Sequence, residues 1–227
     1  MTATIVPETT DSTRSSPNLR ERIDAHAVRT VEDLYAINGE PREAIRTKHT
    51  SYLTPLLVEY LAQVPFFALA TANADGSCDV TPRGDAPGAI QVLDERTVAI
   101  PERPGNRRID SLRNIVTNPH VGMLFLIPAV DEAVRLNGRA TITTDPELLA
   151  TMTMQGKTPK MAIVIDIDEV YVHCARAFLR SGLCEPKKWP DPDTVPSLAA
   201  ILAEQKDWLA PEESCGKRNE EYRSVLY

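Results

Sequence analysis

The segment Phe66-Phe67-Ala68-Leu69-Ala70-Thr71-Ala72-Asn73-Ala74-Asp75-Gly76-Ser77-Cys78-Asp79-Val80-Thr81 decides the fold. Two runs of strand length, Phe66–Thr71 and Cys78–Thr81, flank the turn residues Asn73-Ala74-Asp75-Gly76. Asp-Gly accepts the positive backbone dihedrals that tight hairpin turns demand, so the segment reads as two antiparallel strands and their turn. Further runs recur at Ala89–Leu93, Thr97–Ile100, Val121–Ile127, Ala133–Thr143 and Met161–His173. Short apolar runs separated by turn residues at close intervals predict a barrel or a sandwich. The clearest alternation lies in the sixth run. Val134, Leu136, Ala140 and Ile142 face one way, and Arg135, Asn137, Arg139 and Thr141 face the other.

Helical pieces surround these strands. Val31-Glu32-Asp33-Leu34-Tyr35 predicts a short helix stopped by Asn38-Gly39-Glu40-Pro41, and Leu53, Leu57, Tyr60, Leu61 and Val64 form an apolar stripe at helical spacing before Pro65. One helix interrupts the strands. Ile109, Leu112 and Val116 supply its stripe, Asn106 after Gly105 reads as its N-cap, and Asn118-Pro119 ends it. A last helix is expected over Ser197–Leu209. Residues 1–18 are rich in Thr, Ser and Pro without periodicity and read as a disordered or extended arm. The expected organisation is this arm, a barrel domain with its N-terminal helices over 19–180, and a helical segment over 181–227 that packs on the barrel or on a partner subunit.

Composition narrows the function. In 227 residues, 25 Lys and Arg stand against 32 Asp and Glu, a net charge of −7. An exterior of that sign repels phosphate backbones and anionic lipid, which argues against general nucleic-acid or membrane-surface binding. No apolar run approaches the roughly 20 residues needed to span a bilayer, and the N-terminal stretch lacks the pattern of a signal peptide, so a cytoplasmic location is expected. Cys78, Cys174, Cys184 and Cys215 form no C-x-x-C pair, and His26, His49, His120 and His173 are scattered; neither a disulfide framework nor a metal site is expected. The hydrolase elbow, P-loop and Rossmann glycine signatures are all missing.

Chemistry concentrates in Ile100-Pro101-Glu102-Arg103-Pro104-Gly105-Asn106-Arg107-Arg108, a strand end leading into a helix start. Unpaired N–H groups at a helix N-terminus, together with arginine forks, suit a phosphate. With the helix starting at Asn106, Arg107 and Ser111 share its polar face. Surface pairing of these arginines with Glu102 and Asp110 is the competing reading. Arg83, between Pro82 and Gly84, reads as lying on an irregular strand end, either meeting a ligand or pairing with Asp85.

These motifs together resemble the pyridoxamine 5′-phosphate oxidase-like superfamily of flavin-binding split β-barrels. The resemblance runs from about Val31 to Arg180. It rests on Pro65–Thr71, Asp75-Gly76, Asp79–Gly88, Arg103–Arg108, Asp110-Ser111-Leu112, Asn118–Phe125 and Arg135–Ala140. It implies a mainly β, α+β fold with a six-stranded split barrel, a homodimer, and FMN in a cleft between subunits. By this resemblance the cofactor-binding residues are Thr81, Arg83, Pro101, Asn106, Arg107, Arg108 and Ser111, with Arg180, Ser181 and Trp189 covering the flavin ring from the partner subunit. No catalytic side chain is assigned. The implied function is an FMN-dependent oxidoreductase acting on a small molecule. The alternative is a non-catalytic flavin, deazaflavin or haem binding protein on the same barrel, and a deazaflavin coenzyme is the alternative to FMN. True pyridoxamine phosphate oxidases carry an Arg-x-His pair and end in Arg-Leu-x-Pro, whereas this chain ends Tyr222-Arg223-Ser224-Val225-Leu226-Tyr227. Vitamin B6 oxidation is therefore not the expected activity.

Overall fold

The Asp-Gly turn forms as its residues dictate. In the computed structural model, which describes residues 17–205, 222–223 and 226–227, Gly76 takes φ 85° and its N–H donates to the Asn73 carbonyl. Strand β1 (Phe66–Ala72) thereby pairs antiparallel with β2 (Cys78–Gly84), Phe67 opposite Arg83 and Leu69 opposite Thr81. The remaining strands are β3 (Gln91–Asp94), β4 (Thr97–Pro101), β5 (His120–Leu126), β6 (Ala133–Thr143) and β7 (Ala162–His173). They form one antiparallel sheet in the order β2-β1-β5-β6-β7-β4-β3. This mainly β sheet with flanking helices is the expected α+β class, with the seven strands that the runs predict rather than the six that the resemblance implies. β3 forms at one edge of the sheet, close to the expected run Ala89–Leu93. Asp94 accepts the Arg96 N–H at 2.7 Å, which turns the chain tightly enough for Gln91–Asp94 to pair back on β4.

Alternation fills the sheet's interior. Phe67, Leu69, Met123, Phe125, Val134, Leu136, Ile163 and Ile165 are buried in one core. β6 keeps its inward set past Asn137 because β7 absorbs an irregularity: Asn137 faces Glu169 while Gly138 faces Ile167, leaving Asp168 as the extra residue of a bulge. Gly138 is required there, since a Cβ would lie 2.2 Å from the Asp166 carbonyl oxygen. β4 is buried on both faces. Val98 and Ile100 join the main core, while Ala99 joins Leu149, Met152 and Ala162 beside α6 (Pro146–Thr151), whose first N–H groups are capped by Asp145.

Helix α4 (Pro55–Ala62) starts on the Thr54 cap and buries Leu61. Helix α5 (Asp110–Thr117) packs on β1, β2 and β6 through an apolar face that buries Leu112 and Ile115. Its start differs from the sequence expectation. Asn106 is not its N-cap: Arg107 and Ile109 adopt positive φ of 62° and 53°, and the helix begins only at Asp110. The Asn106 side chain instead accepts the Arg108 N–H at 3.0 Å, closing a loop turn. Arg107 and Ser111 therefore do not share a helical face.

The chain divides into two units, Met1–Thr47 and Lys48–Tyr227. In the first, α1 (Pro17–Ala25), α2 (Val31–Asn38) and α3 (Glu43–Arg46) contain no buried residue among those described. Thr30 caps α2 by accepting the Asp33 N–H, and Gly39, at φ 75°, ends it where Asn38-Gly39 predicts. The second unit continues through α7 (Arg176–Ser181) to α8 (Leu198–Gln205). The expected last helix thus forms over its first part, and residues 206–209 lie outside the described residues, as does almost all of the expected arm over 1–18. Among the described residues no helix is long and apolar enough to cross a membrane.

Candidate ligand site

The inner face of the sheet changes chemistry at its edge. β2 alternates like its neighbours, so Asp79, Thr81 and Arg83 point the same way as Thr71, Leu69 and Phe67 opposite them. Polar side chains on an inward face leave the core open there. A cavity of about 1010 Å³ results, lined by β2, the loop from Pro101 to Ile109, the start of α5, the segment Lys157–Met161 and Tyr227. This is at the upper end of the roughly 300–1,000 Å³ usual for small-molecule sites.

Two arginines of this cavity are built into its frame. Arg83 pairs with Glu102, and Arg103 pairs with Asp85 at 2.6 Å. All four side chains are at most 20% exposed, so neither pair is the screened surface bridge considered from spacing. Arg83 lies within β2 rather than on an irregular end, and it pairs with Glu102 rather than with Asp85. Pro82 beside it is tolerated because β2 is an edge strand. Asp85 is saturated by Arg103, the Ala86 N–H at 2.8 Å and the Tyr227 phenol at 2.8 Å. That bond to Asp85, with burial added, pushes the Tyr227 hydroxyl above the ordinary phenol range.

The other arginines stand on the loop. Arg108 is exposed and pairs with Asp110, which raises its affinity for its proton. Arg107 is exposed and, among the described residues, has no ion-pair or hydrogen-bond partner. The Arg83 Nε is buried and also lacks a partner among the described residues. The start of α5 is less open to an anion than the motif suggests. Asp110 occupies its first turn, and the buried Ser111 hydroxyl donates to Asp79 at 2.9 Å.

The structure therefore gathers Thr81, Arg83, Pro101, Asn106, Arg107, Arg108 and Ser111 around one cavity. It places Arg180, Ser181 and Trp189 outside the cavity of their own chain. Ser181 closes the end of α7 by donating to the Phe178 carbonyl, and Trp189, 58% exposed, donates its indole N–H to the Leu183 carbonyl at 2.9 Å. Sequence reasoning missed Lys157, Lys160 and Tyr227 as lining residues. The pair Gln155-Gly156, both at positive φ, marks the turn that brings Lys157 round, whereas nothing local in the sequence marks Tyr227. With them the cavity carries six basic against four acidic side chains, an excess of positive charge in a chain of net −7.

The cavity thus lies at the edge of an antiparallel sheet and carries more basic than acidic side chains. Residues 53–174, more than half of the chain, match the family described as pyridoxamine 5′-phosphate oxidase, and the chain belongs to that family. No curated protein matches. Among solved structures, a HupZ protein of Group A Streptococcus is similar at 19% identity, covering 53% of this chain and 93% of its own, with a TM-score of 0.43. General Stress Protein 26 of Bacillus anthracis is similar at 17% identity over 51% of this chain and 89% of its own, with a TM-score of 0.40. An FMN-binding protein of Syntrophomonas wolfei is similar at 10% identity, over 51% and 85%, with a TM-score of 0.39.

Proposed function

We propose that the chain binds FMN in this cavity and acts, as a homodimer, as a flavin-dependent oxidoreductase on a small molecule. The observation that carries the reading is Arg107, a guanidinium with no partner among the described residues at a cavity whose frame already pairs Arg83 and Arg103. A phosphate is the partner such a fork accepts best, each charge-assisted bond contributing about 1.5–3 kcal/mol. The buried, unpartnered Arg83 Nε and the inward Thr81 hydroxyl supply further donors in the same cavity. Bound flavin would supply the redox chemistry. The chain's own residues hold the phosphate through Arg107, Arg108 and Asn106 and keep the frame rigid through the two buried ion pairs. In the homodimer, Arg180, Ser181 and Trp189 of a second copy would cover the ring, a role for which the exposure of Trp189 leaves it available.

The test is the visible spectrum of the purified protein, followed by an FMN fluorescence titration. A yellow protein, or saturable quenching of added FMN, is the expected result, and light scattering should report a dimer. A colourless protein with no saturable FMN binding overturns the cofactor. A haem or deazaflavin spectrum replaces it. Turnover with NAD(P)H and an acceptor separates an enzyme from a carrier.

A further inference from the structure

Tyr227 reaches the cavity wall from 142 positions beyond the residue it binds. Three segments that share no strand meet on it. Its phenol donates to Asp85, after β2; the Arg103 guanidinium, on the loop after β4, lies over its ring at 5.3 Å; and Lys157, on the turn before β7, donates to its carbonyl. All three segments line the cavity. Arg103 is held on one side by Asp85 and covered on the other by an aromatic face, an arrangement favourable to a guanidinium shielded from water. Beyond Arg103 the loop is held less firmly. From Pro104 to Ile109 it is exposed, its turn rests on one Asn106 bond, and Arg107 stands in a left-handed conformation. Arg107 stands four positions beyond Arg103 on this loop.

We propose that Tyr227 is a positioning residue of the ligand site: by clamping Arg103 against Asp85 it sets the loop that presents Arg107 to a bound phosphate. Its action on the ligand rests on the cofactor reading above; its action on the loop does not. The clamp has two parts, the ring under Arg103 and the hydroxyl on Asp85. Tyr227→Phe keeps the first and removes the second, and Tyr227→Ala removes both.

FMN is titrated into the wild type and both variants, each shown folded by circular dichroism, and peptide-resolved hydrogen exchange is followed over 102–109 without ligand. Tyr227→Ala should weaken FMN binding about tenfold and speed exchange in this loop, while Tyr227→Phe should stay within about threefold of wild type. A residue that only supports the fold would lower the urea midpoint and leave the FMN affinity of the folded protein unchanged. Wild-type-like affinity in folded Tyr227→Ala overturns the proposal. If the wild type binds no FMN, the cofactor reading fails, and the exchange measurement decides alone: faster exchange in Tyr227→Ala with rescue in Tyr227→Phe supports the clamp, and identical exchange in all three proteins overturns it.

Discussion

The two arginine-bearing walls of the cavity are built on opposite terms. On the framework wall, Arg83 and Arg103 are nearly buried and each is clamped by a carboxylate from another segment. On the loop wall, Arg107 and Arg108 are exposed, and Arg107 has no partner among the described residues. A buried arginine without its carboxylate is expensive, so the first pair is committed to structure. An exposed one costs little to leave open and is available to a ligand. The sum of charges in a pocket thus says less about binding than which of those charges are already spent.

This contrast is open to direct attack. The largest effect is expected from Asp85→Ala, which strands Arg103 and removes the acceptor of Tyr227; breaking a buried pair in this way costs about 3–5 kcal/mol, read from urea unfolding. A loss below about 1 kcal/mol would place Arg103 on the loop wall's terms. Arg107→Ala should do the reverse. It should change stability by less than about 0.5 kcal/mol while weakening FMN binding about tenfold or more, read by fluorescence titration. Ser111→Ala removes the bond to Asp79 and should cost about 1 kcal/mol, which measures how far the start of α5 belongs to the framework.

The smallest effect is a pH dependence. The Tyr227 phenol titrates above its ordinary value because neutral Tyr227 donates to Asp85. Its contribution to stability is therefore complete below the unfolded value of about 10 and lost as pH rises through the higher folded value. Wild type and Tyr227→Phe should then converge in urea midpoint as the pH is raised from about 9 to about 11. Parallel curves would remove Tyr227 from the framework wall.

How much of this is legible in the sequence follows from the range of each interaction. The strands could be read because alternation and the Asp-Gly turn act over neighbouring residues, and Cys78–Gly84 and Ala133–Thr143 form close to where their pattern places them. The start of α5 could not. Asn106 carries a good capping side chain, but positive φ at Arg107 and Ile109 interrupts the helix, a conformation that side chains of this size adopt only when their surroundings hold them. Of the arginine pairings weighed from spacing, Arg108 with Asp110 forms and Arg83 with Asp85 does not. Arg83 and Asp85 lie close in sequence, yet Arg83 pairs with Glu102, 19 positions on, and Asp85 with Arg103, 18 positions on.

Local order settled the sheet, the family and the segment that supplies the cations, since hydrophobic period, turn chemistry and helix stops are properties of adjacent residues. The division of labour among those cations came from folding. Which arginine is clamped, which stays open, and the arrival of Lys157 and Tyr227 at the same wall depend on contacts between segments up to 142 residues apart. No local pattern encodes such contacts, because they exist only once the sheet has brought its edge, its loops and that tyrosine together.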